Sequence, residues 1–124
     1  MLNNARIVCF SATRNADAAR RFYADVLGLS LTEDGPSALA FDANGVMLRI
    51  QKIADHVPLS KGTVLGWHVE SIQNEIHDLL GKGVQFERYA TLTQDGLGIW
   101  TSPSGAQVAW FRDPDGNVLS LTQW

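Results

Sequence analysis

Few residues in this 124-residue chain can do chemistry: three histidines, one cysteine, four tryptophans and an arginine on an otherwise apolar stretch. His68 ends the run TVLGWH and is the best candidate for a general acid or base, histidine being the residue type best suited to that work near neutral pH. His56 lies in an aperiodic segment and His77 between Ile76 and Asp78 of a helical pattern, so both are expected at the surface. No two histidines stand at His-x-His spacing. Cys9 stands alone, which excludes an internal disulfide and a cysteine-built zinc site. No residue near it in sequence would activate it as a nucleophile, so an inert thiol is expected. Trp100 and Trp110 have faces that can stack on a planar ligand or fill a core, Trp67 reads as core, and Trp124 can cover a sheet edge. Arg49 interrupts Val46-Met-Leu-Arg-Ile50, where a guanidinium would attract an anion.

The elements that position these residues follow from composition and periodicity. Apolar residues make up 45% and charged residues 19%, enough to bury a core and far from a disordered composition. The length suits one compact domain. A net charge of -3 gives no general attraction for nucleic acid or anionic lipid. No apolar run reaches the roughly 18 residues of a membrane span. The N-terminal MLNNARIVCF lacks the layout of a secretory signal, so the expected location is cytoplasmic.

Residues 5–12 read as a strand, and 16–27 as a helix with the stripe Ala19, Phe22, Tyr23 and Val26. Strands follow at 29–33, 37–42 and 46–51, the last two joined by Asn44-Gly45, a strong hairpin signal. After a connector at 52–62, the order repeats. A strand at 63–69 precedes a helix at 71–82 with the stripe Ile72, Ile76, Leu79 and Leu80. Strands at 84–89, 97–102, 106–112 and 117–122 complete the chain, the last pair joined by Asp113-Pro-Asp-Gly116. Gly45-Val-Met-Leu-Arg-Ile50 and Gly116-Asn-Val-Leu-Ser-Leu121 end the two halves alike. The expected fold is α+β: two paired βαβββ modules, 5–51 and 63–124, in one domain spanning 1–124. They are expected to form a concave, half-barrel mixed sheet with helices on the convex side and a ligand cavity on the other.

Arg21-Phe22-Tyr23-Ala-Asp-Val-Leu-Gly28 and Phe111-Arg-Asp-Pro-Asp-Gly-Asn117 resemble two motifs of the vicinal oxygen chelate superfamily. That superfamily holds glyoxalases, extradiol dioxygenases and bleomycin-binding proteins. The resemblance spans nearly the whole chain and implies a homodimer. It also implies a divalent-metal site, with one ligand from the first and last strand of each module. Those positions fall on Val8, Arg49, Val64 and Ser120, none of which makes a credible ligand set, so no metal and no cofactor are expected. If these positions face inward, alternation places Val8, Phe10, Met47, Arg49, Gln51, Val64, Gly66, His68, Val118, Ser120 and Thr122 on the cavity side. It places Ile7, Cys9, Leu48, Ile50, Leu65, Trp67, Val69, Leu119 and Leu121 under the helices.

The expected ligand-binding residues are Phe10, Met47, Arg49, Gln51, His68, Trp100, Trp110, Ser120 and Thr122, with His68 as the catalytic candidate. The expected partner is a small organic molecule, aromatic or anionic. Three functions stay open. The favoured one is metal-independent binding. The second is an isomerase, lyase or epimerase with His68 as base and Arg49 stabilising an oxyanion. The third is a rearranged metal enzyme of the glyoxalase or dioxygenase type.

Overall fold

The computed structural model describes every residue from Met1 to Trp124. The chain forms two compact units, Met1–Leu59 and Ser60–Trp124. In the first, β1 (Val8–Thr13) leads to α1 (Ala16–Arg21), and β2 (Ser30–Asp34), β3 (Ala38–Ala43) and β4 (Val46–Lys52) follow. The second repeats the pattern with β5 (Thr63–His68), α2 (Ile72–Gly81), β6 (Trp100–Thr101), β7 (Gln107–Arg112) and β8 (Val118–Gln123). Each unit is a four-stranded mixed sheet, ordered β1-β4-β3-β2 in one and β5-β8-β7-β6 in the other. In both, the first strand runs parallel to the last and the remaining pairs are antiparallel. The fold is therefore α+β with two modules of one topology, as the repeat implied.

In unit one, Leu39, Phe41, Leu48 and Ile50 are fully buried on one face of the sheet. Tyr23 packs on Phe41 with ring centroids 5.8 Å apart, and Phe22 meets Tyr23 edge-on at 5.3 Å. Each such side chain contributes about 1.5–3 kcal/mol of burial free energy. The motif that carries the family resemblance thus fills the core. The helix predicted over 16–27 changes character half-way. Beyond Arg21 it widens into a π turn over Phe22–Val26, closed by Leu27 N–H donating to the Phe22 carbonyl. Ala19, Phe22 and Tyr23 are buried, while Val26 is only partly so.

Asn15 caps α1, its side chain accepting from Ala18 N–H. Lys52 Nζ, at the end of β4, donates to Asp34 Oδ1 at 2.8 Å and to the Gly35 carbonyl at 2.6 Å, and Arg20 from α1 approaches Asp34 at 3.6 Å. The Lys52 hydrogen bond, reinforced by the two cations, holds the Asp34 carboxyl below its usual range. Any stabilisation from it is complete above the ordinary Asp pKa and is lost as pH falls through the lowered one. The Asn44-Gly45 turn forms as predicted, with φ of 52° and 86° and Asp42 Oδ1 accepting from Gly45 N–H. Ser11 Oγ, on the helix-side face of β1, is buried without a hydrogen-bond partner.

In unit two, α2 packs on β7 and β8 through Ile72, Ile76 and Leu79. Ser71 caps it from one side, and Gln123 Oε1 accepts from Ile72 N–H at 2.8 Å. Leu80 is 43% exposed, off the predicted stripe. The Asp113–Asn117 turn is knit by one carboxylate: Asp113 Oδ1 accepts from Asp115 N–H and Asn117 N–H, and Oδ2 from Asn117 Nδ2, all at 2.8–2.9 Å.

Three expectations need correction. The first strand starts at Val8, and Ile7 lies outside it, 75% exposed rather than under the helix. The strand predicted at 84–89 survives as a single bridge, Phe86 to Phe111, and that at 97–102 shrinks to Trp100–Thr101. The reason is that side chains replace the strand ladder between them. The Gln94 amide accepts from Tyr89 N–H and donates to the Glu87 and Gly98 carbonyls. Asp95 Oδ1 accepts from Leu97 and Ile99 N–H, and Arg88 donates to the carbonyls of Asp95 and Gly96. Finally, Val64 is the extra residue of a bulge in β5, so Thr63, not Val64, stands opposite Val118.

Candidate functional site

Each sheet has one face turned away from its helix, and alternation decides what lies on it. In unit one, parallel pairing sets Val8 beside Met47, Phe10 beside Arg49 and Ala12 beside Gln51. Val8, Phe10 and Met47 are 40%, 52% and 45% exposed, while Cys9, Leu48 and Ile50 alternate to the helix side. One row across the sheet reads Phe10, Arg49, Ala40 and Glu33. The Arg49 guanidinium lies 3.8 Å from Glu33 Oε2. Its side chain is 32% exposed, and its N–H groups donate no hydrogen bond within the chain. Ala40, between the two charged residues in the row, is almost fully buried.

Unit two presents Gly66 and His68 from β5, Ser120 and Thr122 from β8, and Val108 and Trp110 from β7 on a single face. Trp100 of β6 joins them opposite Val108. Trp100 and Trp110 lie 6.1 Å apart with rings tilted by 36°, and Tyr89 meets Trp110 edge-on at 5.5 Å. Three aromatic rings thus form a continuous cluster. Sequence patterning did not show Tyr89 as its third member, because the irregular segment that delivers it read as a strand end. Ser120 stands between Trp110 and Gly66 in the row, and a Cβ on Gly66 would lie 2.6 Å from Ser120 Oγ. His68 is exposed and meets Trp124 edge-on at 4.9 Å. A hollow of about 590 Å³ runs along the β6 edge, lined by Thr91, Thr93, Trp100 and Thr101 among others. At the rim of the other end of β7, Glu87 pairs with Arg112, and that hydrogen bond raises the Arg112 pKa.

The sequence-predicted residues thus fall into two groups, one in each unit. Phe10, Met47, Arg49 and Gln51 share the helix-free face of sheet one. His68, Trp100, Trp110, Ser120 and Thr122 share that of sheet two. Glu33 was missed. Without the bulge between Leu31 and Glu33, simple alternation puts it on the opposite face from Arg49.

The profile of the Glyoxalase/Bleomycin resistance protein/Dioxygenase superfamily matches residues 7–121. The chain belongs to that superfamily. Solved structures agree on the glyoxalase fold. A lactoylglutathione lyase from Agrobacterium tumefaciens superposes with a TM-score of 0.74 at 19% identity, over 97% of this chain and 93% of that one. A superfamily member from Sphaerobacter thermophilus gives 0.72 at 20% identity, over 95% and 97%. A glyoxalase family protein from Enterococcus faecalis gives 0.69 at 23% identity, over 94% of each chain. No curated protein matches the sequence.

At the four positions that the resemblance assigns to a metal, this chain carries no credible set of donors. The four positions hold two alkyl side chains, a guanidinium and a hydroxyl. A permanent cation at Arg49 opposes a divalent ion, and valine donates nothing. Within neither unit do three or more His, Cys, Asp or Glu side chains gather. The residues present do not fit the metal. No helix is long and apolar enough to cross a membrane.

Proposed function

We propose that this glyoxalase-superfamily protein binds a small organic molecule, anionic or aromatic, on the helix-free faces of its sheets, and does so without a metal. The observation that carries the reading is Arg49. A guanidinium brings five N–H donors, and here none of them is used by the chain. It sits beside exposed Phe10 and Met47, which gives an apolar surface with one strong polar handle, the usual make-up of a small-molecule site. The Trp100, Trp110 and Tyr89 cluster supplies flat apolar area in the other unit, where a conjugated ring can stack. Binding is favoured over turnover because His68, the candidate base, meets the Trp124 ring edge-on rather than an acid that would orient its proton.

The test is a titration with 4-nitrobenzoate, a planar anion whose nitro group quenches indole emission. Saturable quenching is expected. Trp100→Phe and Trp110→Phe are each expected to lower the quenching amplitude and weaken binding about threefold to tenfold, the worth of one aromatic contact. If both variants leave amplitude and affinity unchanged, the tryptophans are packing residues and the stacking part of the reading falls.

A further inference from the structure

The pairing of Arg49 with Glu33 is built by the backbone. At β2 the register slips between Leu31 and Glu33, and the extra residue, Thr32, donates its hydroxyl to the Ala40 carbonyl at 3.1 Å. The slip turns Glu33 onto the face that carries Arg49, and Asp34 onto the opposite one with Leu39. Ala40, opposite both Arg49 and Glu33, is the small residue between them. The Glu33 carboxylate lies between Arg49 and the Gly35 backbone. Oε2 faces Arg49 at 3.8 Å, and Oε1 would lie 3.3 Å from a Cβ on Gly35. Yet the separation from Arg49 is too long for a hydrogen bond. Glu33 therefore offsets the charge of Arg49 without consuming its donors.

We propose that Glu33 is an internal competitor that sets the affinity and charge selectivity of the Arg49 anion site. This rests on the reading of Arg49 as the ligand's polar anchor. An anion arriving at the guanidinium meets the Glu33 carboxylate as a like charge close to its own position, so the wild-type site discriminates against weakly held anions. A ligand must bring apolar contact with Phe10 and Met47 as well as charge to outcompete it. Glu33 is 62% exposed at its side chain, so its influence is screened and modest, and it grows as salt falls.

The experiment compares 4-nitrobenzoate with its uncharged counterpart 4-nitrobenzamide by calorimetric titration of the wild type, Glu33→Gln and Arg49→Met. Glu33→Gln keeps the shape and removes the charge. It is expected to tighten 4-nitrobenzoate binding about threefold to fivefold at low ionic strength, with the gain vanishing near ~1 M salt and 4-nitrobenzamide unaffected. If Glu33→Gln leaves 4-nitrobenzoate binding unchanged or weakens it while Arg49→Met abolishes it, the anion site stands and the competitor role is overturned. If Arg49→Met binds 4-nitrobenzoate as the wild type does, or the wild type does not bind it at all, the anchor reading itself fails and takes this proposal with it.

Discussion

Replacing Arg49 with methionine is expected to weaken binding of an aromatic carboxylate by about 10- to 150-fold, the worth of one charge-assisted hydrogen-bonded contact of about 1.5–3 kcal/mol. Methionine keeps the unbranched stem over Ala40 and removes the charge. Stability should barely move. The only partner lost is Glu33, at 3.8 Å and largely in solvent, and such pairs contribute about 0–1 kcal/mol. The two readouts together are what make the experiment decisive. A large loss of affinity with an unchanged melting temperature assigns Arg49 to the ligand. Unchanged affinity with a lowered melting temperature assigns it to the sheet.

Replacing Asp113 with alanine is expected to cost about 3 kcal/mol of stability without touching the ligand surface. Asp113 is 6% exposed and Asn117 2%, and one carboxylate satisfies three donors: two backbone N–H groups and the Asn117 amide. Two of these donors, the Asn117 N–H and its amide, are buried, and removing the acceptor of a buried donor costs about 1–3 kcal/mol, part of which relaxation and water entry recover. The turn also fixes how β8 starts, through Asp113 N–H donating to the Asn117 carbonyl and Gly116 at φ 90°. Asp113→Asn retains an acceptor and should cost less. Equilibrium urea unfolding checks this. A loss below about 1 kcal/mol for the alanine variant would mean the carboxylate is not what holds the turn.

Both motifs behind the family resemblance are therefore structural. Phe22 and Tyr23 fill the core of unit one, and the Asp113–Asn117 turn starts β8. That is why the fold was legible in the sequence while the function was not. Strand alternation was legible where the ladder is regular. Met47, Arg49 and Gln51 on one face and Leu48 and Ile50 on the other follow from period two alone. It failed wherever a residue was inserted. The extra residue Thr32 hid Glu33, and the bulge at Val64 displaced that residue alone, leaving Gly66 and His68 where alternation placed them. Between Val84 and Thr101, hydrogen bonds from Arg88, Gln94 and Asp95 side chains take over from backbone pairing. No hydrophobic period announces that, so two strands were expected where a bridge and a two-residue strand stand. The candidate ligand residues were readable one at a time, as a cation or an indole in an apolar run. Their contacts were not, because Tyr89 reaches Trp110, and Glu33 reaches Arg49, across neighbouring strands.

The central claim is that an arginine, not a metal ion, recognises the ligand. Its most direct test is calorimetric titration of 4-nitrobenzoate into protein stripped with a chelator, repeated after adding zinc, nickel, manganese or ferrous ion. One affinity is expected in every case, equal within about twofold, because the binding charge is covalently part of the chain. Binding that is absent from the stripped protein and restored by one equivalent of a divalent metal would contradict it.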